Sequence, residues 1–168
     1  MSAGPLLSPA DGPPVEVIGG RPGTPSAIVL VCEHASNRLP ETLELGGADD
    51  VLDSHAAWDP GALAVARLLA GRLDAPLVAA RFSRLVYDCN RPPDAPDAIT
   101  THTEVHPIPG NSSLGVEQRT ARIREIYTPF HACLDEQLAL AAGAGLRPML
   151  VTIHSFNPTW HGQPRTVQ

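Results

Sequence analysis

A chain of 168 residues is long enough for one hydrophobic core and short for two, so a single domain burying roughly two-thirds of its unfolded surface is expected. A composition of 43% hydrophobic and 18% charged residues excludes disorder throughout, and a formal charge of -6 with scattered arginines excludes a basic nucleic-acid stripe. The three cysteines lack CxxC spacing and fit neither a disulfide framework nor a cysteine-rich zinc module; with no basic leader and no apolar run of about 18 residues, the expected setting is soluble, reducing and cytoplasmic.

Residues 1–25 hold Pro5, Pro9, Pro13, Pro14, Pro22 and Pro25 with five glycines, a mixture that resists helix and sheet and predicts a mobile or draped lead-in without chemistry. The folded domain is expected over residues 26–168. It opens with Ala27-Ile28-Val29-Leu30-Val31, a continuous β-branched run that suits a strand covered on both faces. Asp59-Pro60-Gly61 then precedes Ala62, Ala66, Leu69 and Leu73 at helical spacing, with Asp59 placed as N-cap and Pro60 at the first helical position. Residues 76–80 and 85–87 are short strand candidates, followed by a proline-rich loop from Pro92 to Pro109 whose length suits function better than plain connection. Ile123, Ile126, Phe130, Leu134 and Leu138 share one face of a second helical pattern, which Pro129 should kink or divide and Gly143 and Gly145 should end. Residues 149–153 follow as a strand. This alternation predicts an α/β three-layer sandwich with a largely parallel sheet, whose strand carboxyl ends line the ligand crevice.

Three segments end in polar chemistry. The run at 28–33 leads into His34, the run at 149–153 into His154, and the run at 85–88 into Asn90-Arg91 with two prolines behind it. Such an Asn-Arg pair suits a carboxylate, because the guanidinium is an always-charged fork matching two oxygens and the amide adds a neutral donor. His34, His154 and Asp59 are candidate ligands for a divalent metal that keeps one position open to water. Sequence separation does not test this, since the ligands come from separate elements, unlike HExxH on a single helix. Plainer roles stay open: Asp59 as a helix cap only, and either histidine satisfied within the core.

Other clusters are weaker. His102-Thr103-Glu104-Val105-His106 crowds three ligands into five residues, but it is HxExH in a proline-flanked loop, so a polar loop is the simpler account and Glu104 stays a reserve proton acceptor. Cys89 and Cys32 at strand ends suit small buried residues better than nucleophiles. His55 stands close before Asp59 and within reach of the site. His131 and His161 suit surface or packing roles, and Trp58 and Trp160 either wall a pocket or fill the core. No glycine loop carries a P-loop Lys or GxGxxG spacing and no Ser sits in GxSxG, which argues against nucleotide and serine-hydrolase chemistry.

Five segments carry a further signal: Cys32-Glu33-His34-Ala35-Ser36-Asn37, His55-Ala56-Ala57-Trp58-Asp59-Pro60-Gly61-Ala62, Leu85-Val86-Tyr87-Asp88-Cys89-Asn90-Arg91-Pro92, Ile108-Pro109-Gly110-Asn111 and Ile153-His154-Ser155-Phe156-Asn157-Pro158. In content and order they resemble the N-formylglutamate amidohydrolase-like family. The resemblance implies zinc-dependent cleavage of an N-acyl amino acid on a fold similar to the zinc carboxypeptidases and the aspartoacylase group. It implies Zn2+ on His34, Asp59 and His154, with Glu33 the competing carboxylate, and a clamp of Asn90 and Arg91 for the substrate α-carboxylate. Arg84 then polarises the scissile carbonyl or holds a second carboxylate, its plainer role being a solvent-facing strand arginine.

Hydrolysis of this type also needs a carboxylate outside the metal shell to move a proton. Family members continue past position 168 and the resemblance leads to a late strand for that base. The expectation is a domain lacking the C-terminal part of the family pattern, with Glu104 the candidate inside it. The expected partner is a small acidic N-acyl amino acid, with neither nucleic acid nor membrane; the alternative is a non-catalytic metal- or acidic-ligand-binding domain of the same fold.

Overall fold

In the computed structural model, which describes residues 4–47, 50–160 and 163–164, the first apolar run forms β2 (Ile28–Cys32). It lies between β3 (Leu77–Ala80) and β4 (Met149–Thr152), both parallel to it. The fourth strand, β1 (Val15–Ile18), runs antiparallel to β3 with Val15 opposite Ala80, giving the order β1-β3-β2-β4. The sheet is therefore mixed, where the sequence alternation predicted a largely parallel one. β1 was hidden among the prolines of residues 1–25. No proline falls between Pro14 and Pro22, however, and within that gap Val15, Val17 and Ile18 are β-branched and free to donate to the ladder.

Each strand of the sheet centre sends alternate residues to opposite faces. Leu30, Cys32, Leu77 and Ala79 meet Ala62, Ala66 and Ala70 of α2 (Ala62–Leu73). Val29, Val31, Val78 and Ala80 meet Ile126, Phe130 and Leu134 on the other side. Burial on both faces explains the unbroken apolar run of β2, since neither face is left to water.

The second helical stretch is divided near Pro129 as its sequence requires. The α4 helix (Val116–Arg122) passes through a π-helical turn (Ile123–Tyr127) into α5 (Thr128–Gly143). The wider turn precedes a residue that has no N–H and whose ring crowds the carbonyl four residues back. A shorter helix, α3 (Pro109–Ser112), carries the conspicuous Pro-Gly-Asn.

Two expectations fail for identifiable reasons. Residues 85–87 form a buried turn rather than a strand: the Val86 N–H donates to Ser83 O (2.9 Å), and the Ser83 hydroxyl donates to Ala57 O (2.8 Å) while accepting from the Leu85 N–H. Full burial makes Leu85, Val86 and Tyr87 apolar, and a short apolar run cannot distinguish strand from buried turn. Asp59 does not cap α2. Gly61 occupies the cap with φ 83°, and the Asp59 carboxylate turns away from the helix.

The remaining elements are a short helix, α1 (Asp50–Asp53), and a hairpin of β5 (Thr159–Trp160) with β6 (Gln163–Pro164). His161 and the side chain of Trp160 fall outside the described residues. Trp58 packs against the cluster of Leu45, Val51, Ala57, Leu85 and Ile108, so core filling accounts for it. Among the described residues no helix is long and apolar enough to cross a membrane.

Candidate metal centre and adjoining cleft

The chain leaves β2 through Glu33 and His34 and leaves β4 through Ile153 to His154, so two parallel neighbours deliver histidines at the same end of the sheet. Asp59 joins them from the turn before α2, and its N–H donates to His34 O at 2.9 Å. One donor atom from each of His34, Asp59 and His154 lies within 4.8 Å of the others. Asp59 Oδ2 is the hub, 2.9 Å from His154 Nδ1, 3.4 Å from His34 Nδ1 and 3.3 Å from the Ser155 N–H. The structure thus brings together the three residues that the sequence singled out as a ligand set.

Asp88, quoted in the sequence motif but given no role there, completes the surroundings. Its Oδ1 lies 2.7 Å from His34 Nε2, and its Oδ2 accepts from Arg84 at 3.1 Å. With Nε2–H donated to Asp88, the His34 lone pair sits on Nδ1, the nitrogen that faces Asp59 and His154. A carboxylate behind a histidine is the usual means of fixing a ligand's tautomer and ring orientation. Arg84 is no solvent-facing strand arginine: its other amino nitrogen lies 3.7 Å from Asp59 Oδ1, so one guanidinium spans both aspartates.

The electrostatics of the protein alone are lopsided. Glu33, Asp59 and Asp88 are each at most 7% exposed, and the only full cation among their described ion-pair partners is Arg84. Burial raises the carboxyl pKa of Asp88, but the His34 hydrogen bond and charge and the Arg84 charge outweigh it and bring it down to about 2. Asp59 is likewise lowered, its hydrogen bonds to His34 and His154 overcoming burial. Burial lowers the His34 pKa, while its bonds to Asp59 and Asp88 turn the net direction upward. Glu33 Oε2 is buried without a hydrogen-bond partner, 3.6 Å from His154 Nε2. Two imidazoles, a carboxylate and surplus buried negative charge fit a divalent cation with three protein ligands and one position left for water.

Beside the centre opens a cleft of about 600 Å³. Arg84, Asp88 and Arg91, the segment from Thr100 to His106, and His55 all line it. Arg91 lines this space with Nε 2.8 Å from the exposed Asp97 carboxylate. Asn90 is exposed and does not line it; its backbone N–H donates to Asp88 Oδ1. Glu104 faces the cleft with Oε2 4.0 Å from His55 Nε2, and His55 is held in turn by Asn157. Among the described residues His102, Glu104 and His106 do not converge as a ligand group. His131 is a packing residue, its Nε2 at 3.0 Å from Cys89 O and its ring against Tyr127.

The thiols are poor nucleophile candidates. Burial, then the Glu33 and Asp59 charges, push Cys32 up to about 12; burial beside Asp88 pushes Cys89 well above the ordinary thiol range. Brief iodoacetamide treatment of the native protein at neutral pH is expected to label Cys133 alone, because the other two are buried and protonated. Mass spectrometry of the digested protein reads this directly, and rapid labelling of native Cys89 would restore a cysteine nucleophile to consideration.

Fold and centre together define the class: an α/β protein with a His-Asp-His group able to hold a metal beside an arginine-lined cleft. The chain belongs to the N-formylglutamate amidohydrolase family, whose pattern matches residues 26–167. It is similar to the crystal structure of gene product Atu2144 from Agrobacterium tumefaciens, with 48% sequence identity and a TM-score of 0.89. That likeness covers 95% of this chain and 63% of the other, so the present chain spans under two-thirds of that protein's length. No curated protein matches it.

Proposed function

We propose that the chain is a zinc-dependent amidohydrolase that cleaves the amide C–N bond of an N-formylglutamate-like N-acyl amino acid. The observation that carries this reading is the convergence of His34, Asp59 and His154 from three elements in a chain of this family. When bound there, zinc supplies Lewis-acid polarisation and lowers the pKa of water towards neutrality. Helices on both faces of a four-stranded sheet that includes β1 support the reading of one domain akin to the three-layer zinc carboxypeptidases. Its three free thiols suit a reducing cytoplasm.

The protein's own groups divide the remaining work. Arg91, which lines the cleft, orients the substrate through its α-carboxylate, which replaces Asp97 as the guanidinium's partner. Arg84 faces the carbonyl oxygen as negative charge develops on it, a role suited to a cation already fixed by Asp59 and Asp88. Glu104 takes a proton from the attacking water and returns one to the leaving amine nitrogen, with Glu33 the rival for this task. Water oxygen bonds to the acyl carbon, the C–N bond breaks, and a carboxylic acid and a free amino acid leave. The decisive experiment pairs elemental analysis with hydrolysis of N-formyl and N-acetyl amino acids by the zinc-saturated protein. About one zinc per chain with turnover supports the enzyme; zinc without turnover supports a metal-binding domain; no zinc overturns both and leaves only a domain that binds acidic ligands.

Arg91→Lys should weaken binding of N-formylglutamate although charge is kept, because an ammonium cannot present a planar two-donor fork. Loss of one charge-assisted contact is worth about 1.5–3 kcal/mol, roughly one to two decades in Kd. Equal affinity by calorimetric titration would return Arg91 to a partner of Asp97 only.

A further inference from the structure

The segment Ile108-Pro109-Gly110-Asn111 has no part in the chemistry above, yet it is built with unusual constraint. Gly110 presses on the neighbouring chain so closely that a Cβ there would lie 2.7 Å from Glu44 O and from Leu45 Cα. That approach carries Asn111 inward to 1% exposure. There its Nδ2 donates to Leu85 O at 2.9 Å and to Thr100 O at 2.7 Å, while its Oδ1 accepts from Arg122 Nη1 at 2.7 Å. Arg122, itself 2% exposed, donates from the same nitrogen to Val86 O at 2.9 Å. Two carbonyls on one side and a guanidinium on the other admit a single orientation of the amide, with both of its hydrogens used.

The acceptors come from two segments that line the cleft. Leu85 and Val86 lie between Arg84 and Asp88, and Thr100 begins the segment that carries His102, Glu104 and His106. A direct backbone bond between the same segments, from Asp88 N–H to Ala98 O, lies nearby. We infer that Asn111, oriented by Arg122, is a positioning residue that fixes the width of the cleft by tying the Arg84–Asp88 segment to the Thr100–His106 segment. Asn111 bonds to none of the three candidate ligands, which hang from β2, β4 and the turn before α2. The effect on substrate binding rests on the function proposed above; the tie between the segments does not.

Asn111→Asp separates these roles. The carboxylate keeps its size and its contact with Arg122 but has no hydrogens to offer Leu85 O or Thr100 O. Losing net hydrogen bonds of ordinary strength is expected to speed amide exchange across residues 100–106 by roughly tenfold. Zinc content should stay unchanged, and the Kd for N-formylglutamate should rise with little loss of affinity for formate, which does not span the cleft. Asn111→Ser, which keeps one hydroxyl donor, should show the same selective exchange at smaller amplitude and serves if the Asp variant does not fold. Unchanged exchange in residues 100–106 in a folded variant, or a uniform rise over the whole chain, would overturn the tie. A wild type that fails to bind N-formylglutamate would instead overturn the proposed function and leave the exchange result standing.

Discussion

Replacing Asp59 with Ala is expected to abolish stoichiometric zinc binding. Both histidines approach the same carboxylate oxygen, His154 at 2.9 Å and His34 at 3.4 Å, so its removal takes away a ligand and the group that holds the other two in place. His154→Ala should behave alike. Asp88→Asn provides the scale, because it reaches the ligands through His34 Nε2 and, by way of Arg84, Asp59, and should weaken zinc by about 10–100-fold, the usual effect of an outer-shell partner. Zinc content after dialysis at matched free metal measures all three. Full retention by Asp59→Ala and His154→Ala would remove the ligand set, and retention by Asp59→Ala with loss in Glu33→Ala would make Glu33 the acidic ligand.

Glu104→Gln is expected to lower turnover of N-formylglutamate by about 10²–10⁴-fold, the range for losing a positioned general base, with zinc content intact. Amide and carboxylate have nearly the same shape, so the cleft should keep its form while losing the proton acceptor. Glu33→Gln is the necessary companion. Its buried oxygen without a hydrogen-bond partner stands beside the candidate ligand His154, 3.6 Å from Nε2. A collapse of turnover in Glu33→Gln alone, at full zinc occupancy, transfers the role to Glu33. Full turnover in both variants places the proton acceptor elsewhere.

Much of this architecture was legible in the residues. Unbroken apolar runs gave β2, β3 and β4, alanines at helical spacing gave α2, and Pro129 marked the division between α4 and α5. His34 and His154 stood out because each follows directly on an apolar strand run, at the strand ends where a parallel sheet presents polar chemistry. Three features were hidden. β1 lay inside a proline-rich stretch where local composition outweighed three favourable residues, Val15, Val17 and Ile18. The turn at 85–87 is stabilised by Ser83 just before it, which is anchored in turn to the carbonyl of distant Ala57. Asp88 and the Asn111–Arg122 pair are polar residues in apparently polar segments, and only tertiary packing shows that they are buried. Sequence pattern reports how a segment meets its own neighbours; it is silent on which carbonyls a distant amide will find.

The alanine face of α2 has a meaning beyond the core. Ala62, Ala66 and Ala70 present the smallest possible side chains to the sheet, and Ala70 also abuts the Gly19 turn, where even a Cβ would come within 3.0 Å. The helix is thereby a shim of fixed thickness, seated against β2 and β3 along its length, and Asp59 rides just ahead of its first turn. The depth at which that carboxylate meets the two histidines is gauged by methyl groups on the helix behind it.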